Sequence, residues 1–157
     1  MDVIIMPSTT LLLKQLKSNY PQFTFKKGNY FLWSPSENTI YYCDKSDNKP
    51  ILLLHEISHA LLGHADYNSD IQLITMEREA WDYAIKLAIS YNVTMPTDVI
   101  ESIIDSYRDW IHDRSTCPNC TATGLQINKH NYQCPACNHR WRVNEARTCA
   151  LRRYSNK

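Results

Sequence analysis

Glycine is scarce in this chain, at 3 of 157 residues, and proline reaches only 7. That excludes collagen-like repeats and Pro/Gly-rich disordered chains. Long hydrophobic runs are missing too, with no apolar stretch near the ~18 residues that span a bilayer. The opening Met1–Met6 is too short, and lacks the basic flank, for a secretion signal. The expectation is a cytoplasmic protein with no membrane partner. Acidic residues are rare in one region alone. Residues 114–157 hold 1 Asp or Glu against 8 Lys and Arg, while residues 1–113 hold 15 against 9. A net charge of +1 therefore conceals two units with different partners, expected as domains 1–113 and 114–157. Cysteine is nearly absent from the first unit, which has only Cys43. Cys117, Cys120, Cys134, Cys137 and Cys149 crowd the second.

What is present in the first unit is a run of amphipathic segments. Ser8-Thr9-Thr10 ahead of Leu11–Leu16 predicts a capped helix that stops near Asn19-Tyr20-Pro21. Aromatic-rich stretches at 22–26 and 30–33, parted by Gly28, predict two strands and a turn, with a third strand at 39–43. Pro50 suits the first turn of a helix ending at Gly63. Ser69 or Asp70 caps a longer helix to about Tyr91, and Thr97-Asp98 caps another through Trp110. The class is α+β: a small antiparallel sheet with helices, followed by a cysteine-rich module.

His55-Glu56-Ile57-Ser58-His59 is H-E-x-x-H within a predicted helix. Positions i and i+4 lie about 40° apart on a helix, so both imidazoles can address one ion. Glu56 stands beside them as the general base for a water. Chance would produce this pattern in roughly one chain of this length in a few hundred. Zinc in a catalytic setting needs a third protein ligand and an open position. The candidates are His64, Asp66, Glu77, Glu79 and Asp82. Glu77 and Glu79 face different directions on a helix, so only one can serve. Small Ala80 next to Glu79 lets two helices approach, which favours Glu79 and leaves Glu77, Arg78 and Asp82 as a solvated face. His64, Tyr67 and Tyr83 each offer a group for an oxyanion, without a basis for ranking them.

The segment from Leu54 to His64 resembles the active helix of the ImmA/IrrE family of gluzincin-like metallopeptidases. Glu79-Ala80-Trp81-Asp82-Tyr83-Ala84 is similar to that family's second motif, E-A-x-x-F/Y-A, whose glutamate is the third zinc ligand. The preceding hairpin and Met95-Pro96 also fit, so the resemblance covers roughly residues 20–96. Trp81 stands where the family commonly has Asn. The resemblance implies a catalytic zinc on His55, His59 and Glu79, with Glu56 as base. It also implies a bacterial cytoplasmic setting in a phage or mobile element, and a helix-turn-helix repressor as the protein substrate.

The tail carries Cys117-Pro118-Asn119-Cys120 and, thirteen residues later, Cys134-Pro135-Ala136-Cys137. Two such corners enclose one tetrahedral ion, as in a zinc ribbon. A segment of about 40 residues has too little core to fold unaided, and structural zinc supplies ~10–16 kcal/mol of apparent binding energy. Iron in a four-cysteine site has the same ligand requirement. Cys43 and Cys149 are spare thiols. Lys129, His130, Tyr132, His139, Arg140, Trp141 and Arg142 mix basic and aromatic groups. That leaves open DNA contact, docking of a protein substrate, and packing within the chain. The reading that results is a zinc endopeptidase with one catalytic and one structural Zn²⁺. Its alternatives are a non-catalytic zinc-containing regulator that binds DNA or a repressor, and a toxin–antitoxin-type partner.

Overall fold

Ser8 opens the first helix, its hydroxyl accepting the Leu11 N–H at 3.2 Å and so satisfying one of the donors a helix start leaves unpaired. The computed structural model describes residues 6–144 and 151–155. Cys149 and Arg147 lie outside the described residues. The element order is α1 (Thr9–Asn19), β1 (Thr24–Lys27), β2 (Leu32–Ser34), β3 (Thr39–Tyr42), α2 (Lys49–Leu61), α3 (Asp70–Tyr91), α4 (Thr97–Ser115), β4 (Leu125–Asn128), β5 (Asn131–Gln133), β6 (Arg140–Val143) and β7 (Arg153–Ser155). The α+β class holds, with one sheet of three strands and one of four. No helix among the described residues is long and apolar enough to cross a membrane.

Contacts divide the chain into Met1–Ala65 with Met76–Ile100, and Asp66–Thr75 with Glu101–Lys157. This division differs from the step in charge at residue 113. The head of α3 and most of α4 group with the cysteine-rich tail.

In the first unit the three-stranded sheet has the order β1-β3-β2. The antiparallel sheet expected from the sequence is in fact mixed, because β1 pairs with β3 in parallel while β2 pairs with it antiparallel. The cause lies at Gly28. Its N–H still donates to the Tyr42 carbonyl at 2.8 Å, so the chain follows β3 to its end instead of turning back on β1. A Cβ at Gly28 would sit 3.1 Å from Tyr41 Cδ1; the bare backbone passes close and delivers β2 to the far side of β3. The central strand is the buried one, with Thr39 and Ile40 both shut from solvent.

Helix α2 packs on β2, β3 and α1, burying Ile51, Leu53, Leu54 and Ile57. Full burial of such side chains is worth about 1.5–3 kcal/mol each. Its end is set by Gly63, whose φ of +67° suits glycine. There the His64 N–H donates back to the His59 carbonyl at 3.0 Å. Helix α3 buries a stripe at spacings of three and four: Leu73, Glu77, Ala80, Trp81, Ala84, Ala88 and Tyr91.

The second unit holds the sheet β4-β5-β6-β7, antiparallel throughout. Alternation along β6 points Trp141 and Val143 into a core with Tyr132, Cys117 and Cys134, and turns Arg140 and Arg142 outward. Helix α4 runs to Ser115, five residues past the expected end. Its last carbonyls find donors in the tail, which the local sequence does not show. Trp141 Nε1 donates to the Arg114 carbonyl at 3.0 Å and the Gly124 N–H to the Ser115 carbonyl at 2.7 Å. Arg114 is buried; its guanidinium stacks over Trp110, donates to the Lys129 carbonyl at 2.6 Å and lies 3.7 Å from Asp70. Asp70 accepts the Tyr132 hydroxyl. The head of α3, the end of α4 and strand β5 are thus joined by one polar cluster.

Candidate metal centres

The H-E-x-x-H segment lies on α2, where a four-residue spacing puts His55 and His59 on one face. Their Nε2 atoms are 3.1 Å apart. The third member of the group is Glu77 on α3, with Oε2 at 3.0 Å from His55 Nε2 and Oε1 at 3.4 Å from His59 Nε2. Donor atoms of His55, His59 and Glu77 all lie within 4.8 Å of one another, and all three residues are buried. Two nitrogens on one tetrahedral zinc stand about 3.3 Å apart, so the observed spacing fits such an ion. Burial alone would raise the Glu77 pKa, but hydrogen bonds from His55 and His59 outweigh it and hold the carboxyl far below its ordinary value.

Glu79, the third ligand expected from the sequence, does not join this group. Its side chain is 57% exposed and pairs with His64 at 3.2 Å. Glu77, expected on a solvated face, is 6% exposed. The physical reason is helical phase. Glu77 falls four residues after Leu73 and four before Trp81, inside the buried stripe, while Glu79 points off it. A carboxylate in the middle of an apolar stripe was the available signal.

His64, one of the candidate third ligands, lies outside the donor group and against it. Its Nδ1 lies 2.8 Å from His59 Nδ1 and its Nε2 3.2 Å from Glu79 Oε2. With His59 offering Nε2 to the donor group, its Nδ1–H donates to His64, and His64 Nε2–H donates to Glu79. This chain requires a neutral His64. Burial, reinforced by the nearby His59, lowers the His64 pKa, with Glu79 pulling the other way. The arrangement fixes the tautomer and ring orientation of His59. His55 is held otherwise, by a stack on Trp81 with ring centroids 4.0 Å apart; its buried Nδ1 has no hydrogen-bond partner among the described residues. Tyr67 lies under the Lys129 ammonium, Tyr83 is partly exposed, and neither belongs to the donor group.

Glu56 also stays outside that group. Its Oε2 accepts the Trp33 backbone N–H at 2.7 Å. Trp33 is on β2, an edge strand, and its indole N–H donates to the His64 carbonyl at 2.8 Å. One residue thereby ties the edge of the sheet to Glu56 and to the segment just after α2. Sequence reading missed Trp33, because nothing local to it announces a contact 23 residues away.

The second group is Cys117, Cys120, Cys134 and Cys137, each with its sulfur within 4.8 Å of the others. Cys117 and Cys137 sulfurs are 3.7 Å apart, and those of Cys120 and Cys134 3.5 Å. A disulfide needs about 2.05 Å. Sulfurs around one tetrahedral zinc stand about 3.8 Å apart, so the four fit an ion and not a pair of bridges. Each corner is a tight turn, with the Thr121 N–H on the Cys117 carbonyl and the Asn138 N–H on the Cys134 carbonyl, both at 2.9 Å. Thr121 and Asn138 take φ of +64° and +60°. Asn119 donates to Cys137 Sγ, which lowers that thiol to about 6.

The four cysteines and the His/Glu trio form two candidate metal sites, compatible with zinc. No family model, curated protein or solved structure matches the chain.

Proposed function

We propose that the chain is a zinc-dependent endopeptidase acting in the bacterial cytoplasm, with a second, structural zinc in the four-cysteine module. The observation that carries this reading is the convergence of His55, His59 and Glu77 on one point, with Glu56 next to His55 but outside the donor set. A metal held there by His55, His59 and Glu77 would supply a Lewis acid for the scissile carbonyl and acidify a water. Glu56 would be the carboxylate that accepts the nucleophile's proton and returns one to the leaving amine. The Trp33 N–H holds one oxygen of Glu56, which fixes where the carboxylate stands. His64 and Glu79 hold His59 in the tautomer that leaves Nε2 unprotonated for the metal.

The resemblance to the ImmA/IrrE family supports the substrate class: a helix-turn-helix repressor of a phage or mobile element. The third-ligand role passes from Glu79 to Glu77, and the rest of that assignment is kept. The test separates catalysis from binding. Glu56→Gln preserves shape and removes the base, so the variant should keep two zinc ions per chain and lose cleavage of the cognate repressor by several orders of magnitude, read by mass spectrometry of the products. Undiminished biological function in this variant would replace the peptidase with a non-catalytic zinc-containing regulator.

A further inference from the structure

The sheet of the cysteine module has two faces, and the sequence alone does not separate them. Tyr132 and Trp141, the aromatic residues that stood out among the basic ones, are 1% and 0% exposed. They stack on each other with centroids 5.6 Å apart and form the core, so no base can reach them. The opposite face is assembled by register. Arg142 stands between Asn131 of β5 and Tyr154 of β7, and Arg140 faces Gln133, which in turn faces Leu125. Arg140, Arg142 and Tyr154 are exposed, and the Arg142 guanidinium lies 5.0 Å from the centre of the Tyr154 ring. Arg152, just before β7, is exposed as well. No outward position of these four strands carries a carboxylate, and residues 114–157 contain a single acidic residue, Glu145.

We propose that this outward face binds single-stranded nucleic acid. Its charge is complementary to a phosphate backbone. Arginine forks contact phosphate oxygens in two places at once. Tyr154, partly exposed and already stacked with a guanidinium, offers the flat surface on which an unpaired base sits. A duplex keeps its bases stacked on each other and cannot use that ring. This function is independent of the peptidase reading, because none of these residues belongs to the donor groups or to the surroundings of Glu56.

The experiment uses the full-length, zinc-loaded chain and three fluorescent probes: a 12-nucleotide single strand of mixed sequence, its duplex, and heparin. Fluorescence anisotropy at 50 mM salt should show the single strand bound more tightly than the duplex. With three phosphates neutralised, raising salt to 200 mM should weaken that binding by about 20-fold. Arg140→Ala with Arg142→Ala should weaken all three probes by about tenfold or more. Tyr154→Ala should weaken the single strand about tenfold and leave heparin unchanged, and Tyr154→Phe should restore it. Zinc content of two per chain verifies that each variant is folded. No single-strand binding at 50 mM salt overturns the proposal. So does a duplex bound equally well, or a Tyr154→Ala variant that binds the single strand like the wild type.

Discussion

The two donor groups are built by opposite means. His55, His59 and Glu77 stand on two helices that also bury Leu53, Leu54, Ile57, Ala84 and Ala88, none of them a donor. Most of the apolar core there is built from residues other than the ligands. In the tail, Cys117 and Cys134 are themselves two of the five residues of the core, beside Tyr132, Trp141 and Val143. Two of the four ligands are core residues, while Cys120 and Cys137 are exposed. On the proposed reading an ion at the first group would be a reagent, while an ion at the second would be part of the folding free energy.

The largest expected effect comes from breaking the second group. Cys134→Ser removes a ligand and a core residue together. The β4–β7 sheet should unfold, zinc should fall from two per chain to one, and Arg140 and Arg142 should become early trypsin sites. Metal analysis and timed proteolysis read both outcomes. Survival of the sheet without its zinc would break the comparison.

An intermediate effect separates ligand from support in the first group. Glu77→Gln should release the zinc of that group during chelator competition while the helical circular dichroism stays. Glu79→Gln should keep the ion and weaken its affinity by about 10–100-fold, through the loosened His64 and His59. The reverse order would make Glu79 the ligand and the observed pairing with His64 incidental.

The smallest effect sharpens the second half of the comparison. Tyr132→Phe leaves Asp70 buried with one donor fewer, which costs about 1–3 kcal/mol. The melting temperature of the second unit should fall while both zinc ions are retained. An unchanged melting temperature would show that zinc alone sets the stability of that unit.

Much of this was legible in the sequence where a local pattern decides. The helix caps at Ser8 and Ser69, the stop at Gly63, the H-E-x-x-H turn and the paired C-x-x-C corners all depend on neighbours a few residues away. Features set by distant partners were not. Glu77 and Glu79 differ only in helical phase, and choosing between them required asking which carboxylate interrupts the stripe running from Leu73 to Tyr91. The mixed sheet depends on Gly28 slipping past Tyr41. The length of α4 depends on donors from Gly124 and Trp141. The tail's aromatics looked like a surface because Trp141 alternates with Arg140 and Arg142 and Tyr132 lies near Lys129 and His130, and such patterns do not say which side faces the core.

Helix α3 also sets an order of events during synthesis. Asp70 at its head waits for the Tyr132 hydroxyl, 62 residues downstream. At about 5–20 residues per second that wait lasts roughly 3–12 s on the ribosome. Glu77, two turns along the same helix, has both histidine partners already made. The nascent chain can therefore assemble the His55, His59 and Glu77 group before the cysteine module has left the tunnel. A protein halted at that point would carry a complete donor group and an unfinished second unit.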